Sequence, residues 1–126
     1  MTLILDAGAF VAAERGDHRM FALMKAERLA GRTPVTHGGI VGQVWRGGSG
    51  RQVPIARLLD TVEVEPLDDE LGRRTGALLK LTGGRDVIDA AVVLLACDSD
   101  TILTSDPGDL IALAAEADIH LDLLTV

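Results

Sequence analysis

Two short apolar runs in this chain each end in an aspartate: Thr2-Leu3-Ile4-Leu5 leads into Asp6, and Thr101-Ile102-Leu103-Thr104-Ser105 leads into Asp106. A run this short and this apolar, set between helical stretches, reads as a strand buried on both faces, as parallel strands are. Weaker strand signals lie at 34–36, 61–64 and 119–123. Between them, helical patterning covers 7–14, 17–30, about 37–45, 51–59, 67–81, 86–97 and 109–117. Three leucines, Leu71, Leu78 and Leu81, are the expected buried stripe of the 67–81 helix. The order β-α-α-β-α-α-β-α-α-β-α-β predicts an α/β fold: a parallel-stranded central sheet flanked by helices on both faces, one domain over residues 1–126. In such sheets the functional site lies at the carboxyl ends of the strands. Asp6 and Asp106 are predicted to stand there.

Composition supports a packed domain and closes several other routes. Hydrophobic residues make up 48% of the 126, far more than a disordered chain carries. Aromatics are only 2% (Phe10, Phe21, Trp45), so the core is expected to be aliphatic and a base-stacking platform is not expected. One cysteine, Cys97, rules out an internal disulfide; its apolar neighbours suggest a small buried hydrophobe. The longest apolar run, Ala90 to Cys97, is eight residues, too short to span a membrane. No basic stretch precedes the first apolar run, so no signal peptide is read and a cytoplasmic location is expected.

Charge is unevenly placed. All twelve Lys and Arg lie at or before Arg85, whereas residues 86–126 carry nine carboxylates and no Lys or Arg. Asp89 sits in the first turn of the most apolar helix, with Asp86 three residues before it. Asp109 follows Asp106 at the same interval. Each aspartate alone fits a helix cap or a dipole-favoured first turn, and Asp106-Pro107 is a good helix start. Three or four carboxylates brought together in dry surroundings need a cation. Hard oxygen donors suit Mg²⁺ or Mn²⁺, and the scattered His18, His37 and His120 give no zinc pattern. Three glycines in the 37–45 helix, Gly38, Gly39 and Gly42, suggest close packing there. The Met20, Phe21, Leu23, Met24 stretch reads either as core or as part of a partner groove.

These residues together resemble the PIN-domain ribonucleases, in particular the VapC toxins of bacterial toxin–antitoxin pairs. The carrying motifs are Leu3-Ile4-Leu5-Asp6-Ala7-Gly8, Asp86-Val87-Ile88-Asp89-Ala90-Ala91 and Thr104-Ser105-Asp106-Pro107-Gly108-Asp109-Leu110, in order along essentially the whole chain. The resemblance implies a three-layer α/β/α fold in which Asp6, Asp89 and Asp106 are catalytic and hold a divalent ion. Asp109 matches a more variable acid, and Asp86 is an added candidate ligand. It also implies an RNA substrate, a neutralising antitoxin and a homodimer. Two positions depart from the family pattern. Gln43 stands where a glutamate is usual, so that ligand brings no charge, and Gly8 stands where a serine or threonine hydroxyl is common.

The expected reaction is hydrolysis of an RNA phosphodiester by activated water. Arg46, Arg51, Arg57, Arg73, Arg74, Lys80 and Arg85 are candidates for holding the RNA backbone. A haloacid-dehalogenase-like phosphatase would need an acid at position 8, where glycine stands. A receiver domain would need a lysine late in the sheet, and none follows Lys80. A non-catalytic module that binds RNA or an antitoxin, with its metal site lost, remains the alternative.

Overall fold

The computed structural model describes all 126 residues. The elements run β1 (Leu3–Leu5), α1 (Ala7–Glu14), α2 (His18–Leu29), β2 (Val35–His37), α3 (Gly38–Val44), α4 (Val53–Leu59), β3 (Glu63–Glu65), α5 (Asp69–Thr82), α6 (Val87–Leu95), β4 (Thr101–Thr104), α7 (Pro107–Glu116) and β5 (Asp122–Thr125). A one-turn 3-10 helix, Gly50–Gln52, leads into α4. The five strands form one all-parallel sheet in the order β3-β2-β1-β4-β5. The first two crossovers step one way along the sheet from β1, and the last two step back across it. Right-handed connections therefore place α1 to α4 on one face and α5 to α7 on the other. The packing agrees, with α1 against α2, α3 and α4, and α5, α6 and α7 against one another. No helix is long and apolar enough to cross a membrane.

The core is aliphatic, as the composition implies: Ile4, Leu5, Ile40, Ile55, Val92, Val93, Ile102, Leu103 and Leu110 are fully buried, and Phe10 is the one buried aromatic. The central strands β1 and β4 pair Leu3 with Thr101, Ile4 with Ile102 and Leu5 with Leu103. That register brings the residues after Leu5 and Leu103 side by side at the carboxyl edge.

Several expectations need correction. The last strand begins at Asp122 rather than at Ile119. Ile119 instead closes the end of α7, its N–H donating to the Ala114 carbonyl after Asp118 takes a left-handed turn (φ 55°). Cys97 is exposed rather than buried, because α6 stops at Leu95 and the chain turns outward. Leu81 is 67% exposed. The buried stripe of α5 is Leu71, Thr75 and Leu78, and the helical period carries Leu81 off that line. Of the three α3 glycines, only Gly39 is tightly packed: a Cβ there would lie 2.5 Å from Ile88 Cδ1, whereas one at Gly42 would meet nothing within 4 Å. Asp100, one of the nine carboxylates of residues 86–126, is buried and accepts from the N–H groups of Thr2 and Cys97, both at 2.8 Å.

Candidate active site

The carboxyl edge of the sheet gathers acids from three elements. Asp6 follows β1 directly and is held there on both oxygens. Its Oδ1 accepts from the Ala7 N–H at 2.8 Å as the cap of α1, and its Oδ2 accepts from the Thr104 hydroxyl at 2.8 Å. The Asp6 N–H donates to the Leu103 carbonyl at 3.0 Å, so the backbone is fixed as well. Thr104 is fully buried at the end of β4, and its Oγ1 also accepts the Asp106 N–H at 3.1 Å. One hydroxyl thus joins the two strand-end aspartates. Sequence reading passed over Thr104 because it closes an apolar run like any β-branched strand residue. Its signal lay in the Thr-Ser-Asp order, which sets the hydroxyl two residues before an acid.

Asp106 occupies the N-cap position of α7 with Pro107 behind it, but its side chain accepts no capping bond. Its carboxylate is exposed and free for a ligand. Asp86 does act as a cap: its Oδ1 accepts the Asp89 N–H at 3.0 Å and starts α6. Asp89, on the first turn of that helix, is half-buried. Its carboxyl is pushed up to about 6, first by burial and then by repulsion from Asp86, Asp6, Asp109 and Asp106. The other four candidate aspartates therefore all act on Asp89. Asp86, Asp89 and Asp109 also line one cavity of about 420 Å³. The sixth candidate, Gln43, is exposed on α3 and makes no hydrogen bond to these acids.

Gly8 has a structural cause. A Cβ there would lie 2.6 Å from both the backbone nitrogen and Oγ of Ser105. The Ser105 hydroxyl fills the space that a side chain at position 8 would take, and Thr104 supplies the hydroxyl that bonds Asp6.

His37 braces the same edge. It ends β2, is fully buried, and its Nδ1 accepts the Gly39 N–H at 3.0 Å as the cap of α3. With Nδ1 accepting, Nε2 carries the proton and donates to the Ile88 carbonyl at 3.0 Å, one residue from Asp89. Burial holds its pKa below the usual value, which keeps the ring neutral near pH 7.

The donor chemistry here suits a hard divalent ion: oxygen ligands only, anionic, on an edge where they repel one another. The side chains are loosely grouped; no three His, Cys, Asp or Glu groups stand close enough to bind an ion as arranged. The basic residues scatter. Arg46 caps α3 through the carbonyls of Gly42 and Trp45, Arg51 faces Glu14 at 4.0 Å, and Arg73 pairs with Asp69 at 3.0 Å. Among the seven candidates, Arg85 shares a cavity with the acids.

No protein-family model matches the sequence, and no curated protein sequence matches it either. Among solved structures, the chain is similar to one in the crystal structure of VapBC2 from Rickettsia felis bound to a DNA fragment from their promoter. The TM-score is 0.72 at 12% sequence identity, over 98% of this chain and 99% of that one. At such identity the likeness shows the fold, and it is the fold that the PIN-domain resemblance implied.

Proposed function

We propose that this chain is a Mg²⁺- or Mn²⁺-dependent ribonuclease that acts as the toxin of a toxin–antitoxin pair. The observation that carries the reading is that Asp6 and Asp106 stand at the carboxyl ends of β1 and β4, near enough to Asp89 that they, with Asp86 and Asp109, all oppose its ionisation. The fold shared with a VapBC2 chain supports it. Asp6, Asp89 and Asp106 would hold the ion, with Asp86, Asp109 and the Gln43 amide oxygen as further donors. A divalent ion supplies charge for the scissile phosphate and makes water acidic enough to attack near neutral pH. The chain's own part is placement. Thr104 fixes the Asp6 carboxylate and the Asp106 backbone, and His37 fixes the first turn of α6 behind Asp89. Attack of water on phosphorus expels the 3′-oxygen, leaving a 3′-hydroxyl and a 5′-phosphate. No side-chain nucleophile is required.

The partner reading rests on a second region. A groove of about 740 Å³ is lined by Met20, Phe21, Met24 and Leu58 and rimmed by Lys25, Arg28, Arg32 and Arg57. An apolar floor with a basic rim suits an acidic amphipathic helix of an antitoxin.

The non-catalytic alternative draws on the uncharged Gln43 and the loose spacing of the acids. Thermal melts with a few millimolar Mn²⁺ separate the two readings. A ligand that binds only the folded state stabilises it by RT ln(1 + [L]/Kd), about 2.7 kcal/mol at a hundredfold excess. The nuclease reading expects the wild type to gain stability and Asp6→Asn and Asp89→Asn to gain little, with cleavage of an RNA pool lost in both variants. No Mn²⁺ response and no cleavage by the wild type would leave the binding module.

A further inference from the structure

We propose that the cavity beside Asp89 is a nucleotide subsite for single-stranded RNA, in which Arg85 grips a backbone phosphate next to the one cleaved. The inference rests on the nuclease reading and adds the residue that positions the substrate.

The cavity has three kinds of wall. Asp86, Asp89 and Asp109 form the side shared with the carboxylate edge. Leu79, Ala112 and Leu113, from α5 and α7, give an apolar floor. Arg85 is the cation in the lining, and it is also the last Lys or Arg in the chain. Its volume, about 420 Å³, falls in the range of small-ligand sites.

Arg85 is placed by backbone geometry rather than by a salt bridge. Helix α5 ends at Gly83 in the left-handed conformation (φ 71°), and the chain then runs through Gly84 and Arg85 to the Asp86 cap. The molecule's three ion pairs join Arg32 to Glu27, Arg51 to Glu14 and Arg73 to Asp69. Arg85 therefore stays uncommitted although its neighbour in sequence is an aspartate. A carboxylate edge repels the RNA backbone, so a strand entering here needs a cation at its border. A guanidinium grips phosphate through two parallel hydrogen bonds.

The other polar group near the loop is already used. The Thr82 hydroxyl donates to the Leu79 carbonyl and accepts the Gly84 N–H. The floor thus offers a base apolar surface and few hydrogen bonds, while Arg85 offers phosphate contact. Unpaired RNA, whose bases splay out, fits such a cleft; a stacked duplex does not present a base to it.

The test uses Arg85→Ala, Arg85→Lys and Ala112→Trp, the last filling the cavity from an exposed position of α7. Each is assayed with a labelled single-stranded RNA pool in Mn²⁺ and melted with and without Mn²⁺. Arg85→Ala should raise KM about tenfold with kcat within about twofold, and should lower the slope of log affinity against log salt by about one. Arg85→Lys should recover part of the KM. Ala112→Trp should raise KM as well, and all three should keep the wild-type Mn²⁺ stabilisation. An unchanged KM in both Arg85→Ala and Ala112→Trp, with cleavage still abolished by Asp89→Asn, overturns the subsite and leaves the nuclease standing. A wild type that neither responds to Mn²⁺ nor cuts RNA overturns both.

Discussion

At Asp89, burial and four neighbouring carboxylates act in one direction, against ionisation. Its pKa rises from 3.8 to about 6. Between those values the folded state holds a proton that the unfolded state has released. Stability without metal therefore falls as pH rises from about 4 to about 6 and is level above that, as far as this group is concerned. Asp89→Asn removes the ionisation. Its metal-free melting temperature should exceed that of the wild type at pH 7.5, with the gap closing toward pH 4. Melting curves in EDTA across that range check this, and a gap that does not narrow toward pH 4 would remove Asp89 as the strained group. The Asp6 oxygens accept from the Ala7 N–H and the Thr104 hydroxyl.

Helix α3 shows what an element's sequence reveals and what it hides. Three glycines in a seven-residue helix suggest close packing, and only one of them packs closely. Gly39→Ala would drive a methyl to 2.5 Å from Ile88 Cδ1 and 2.8 Å from His37 Cε1, the two residues whose hydrogen bond braces α6. It should cost about 1–3 kcal/mol, the usual range for overpacking. Gly42→Ala meets open space on the same helix and should stabilise by up to about 1 kcal/mol. Chemical denaturation of the two variants checks the contrast. The asymmetry depends on Ile88, about fifty positions away, so composition could not show it. The same limit explains the other misses. Strand-end acids were legible because an apolar run places its last residue at an edge. Thr104 bonding Asp6, and Asp100 bonding Thr2, are contacts across 98 residues that no local pattern records. The ordinary side-chain periods were enough for the alternation of strands and helices. They failed at Ile119 and Cys97, where apolar residues lie beyond an element's end and follow tertiary contacts instead.

Across the whole molecule, two regions of opposite character stand at opposite ends of the sheet. Asp6 and Asp106 follow the carboxyl ends of β1 and β4. The groove reaches Thr33 and Pro34 ahead of β2 and Thr61 ahead of β3, at the amino ends. It concentrates cations in a chain whose net charge is −7. Arg32 is committed to Glu27 through two hydrogen bonds of 3.0 Å, which leaves Lys25, Arg28 and Arg57 to meet an acidic partner. On the proposed toxin reading, an antitoxin seated there would touch none of the five aspartates, so partner binding and metal binding should separate by mutation. Lys25→Glu with Arg28→Glu should weaken the affinity for the cognate antitoxin at least about tenfold, by turning attraction into like-charge repulsion. The Mn²⁺ stabilisation should be unchanged. Asp6→Asn should do the reverse, losing the Mn²⁺ response while the groove keeps its partner. Calorimetric titration at two salt concentrations tests the electrostatic part, because attraction between exposed charges weakens as the screening length shortens. If the charge reversal leaves antitoxin affinity intact, the partner docks elsewhere. If it also abolishes the Mn²⁺ response, the two ends are coupled through the sheet, and the antitoxin has a route to the carboxylate edge that requires no contact with it.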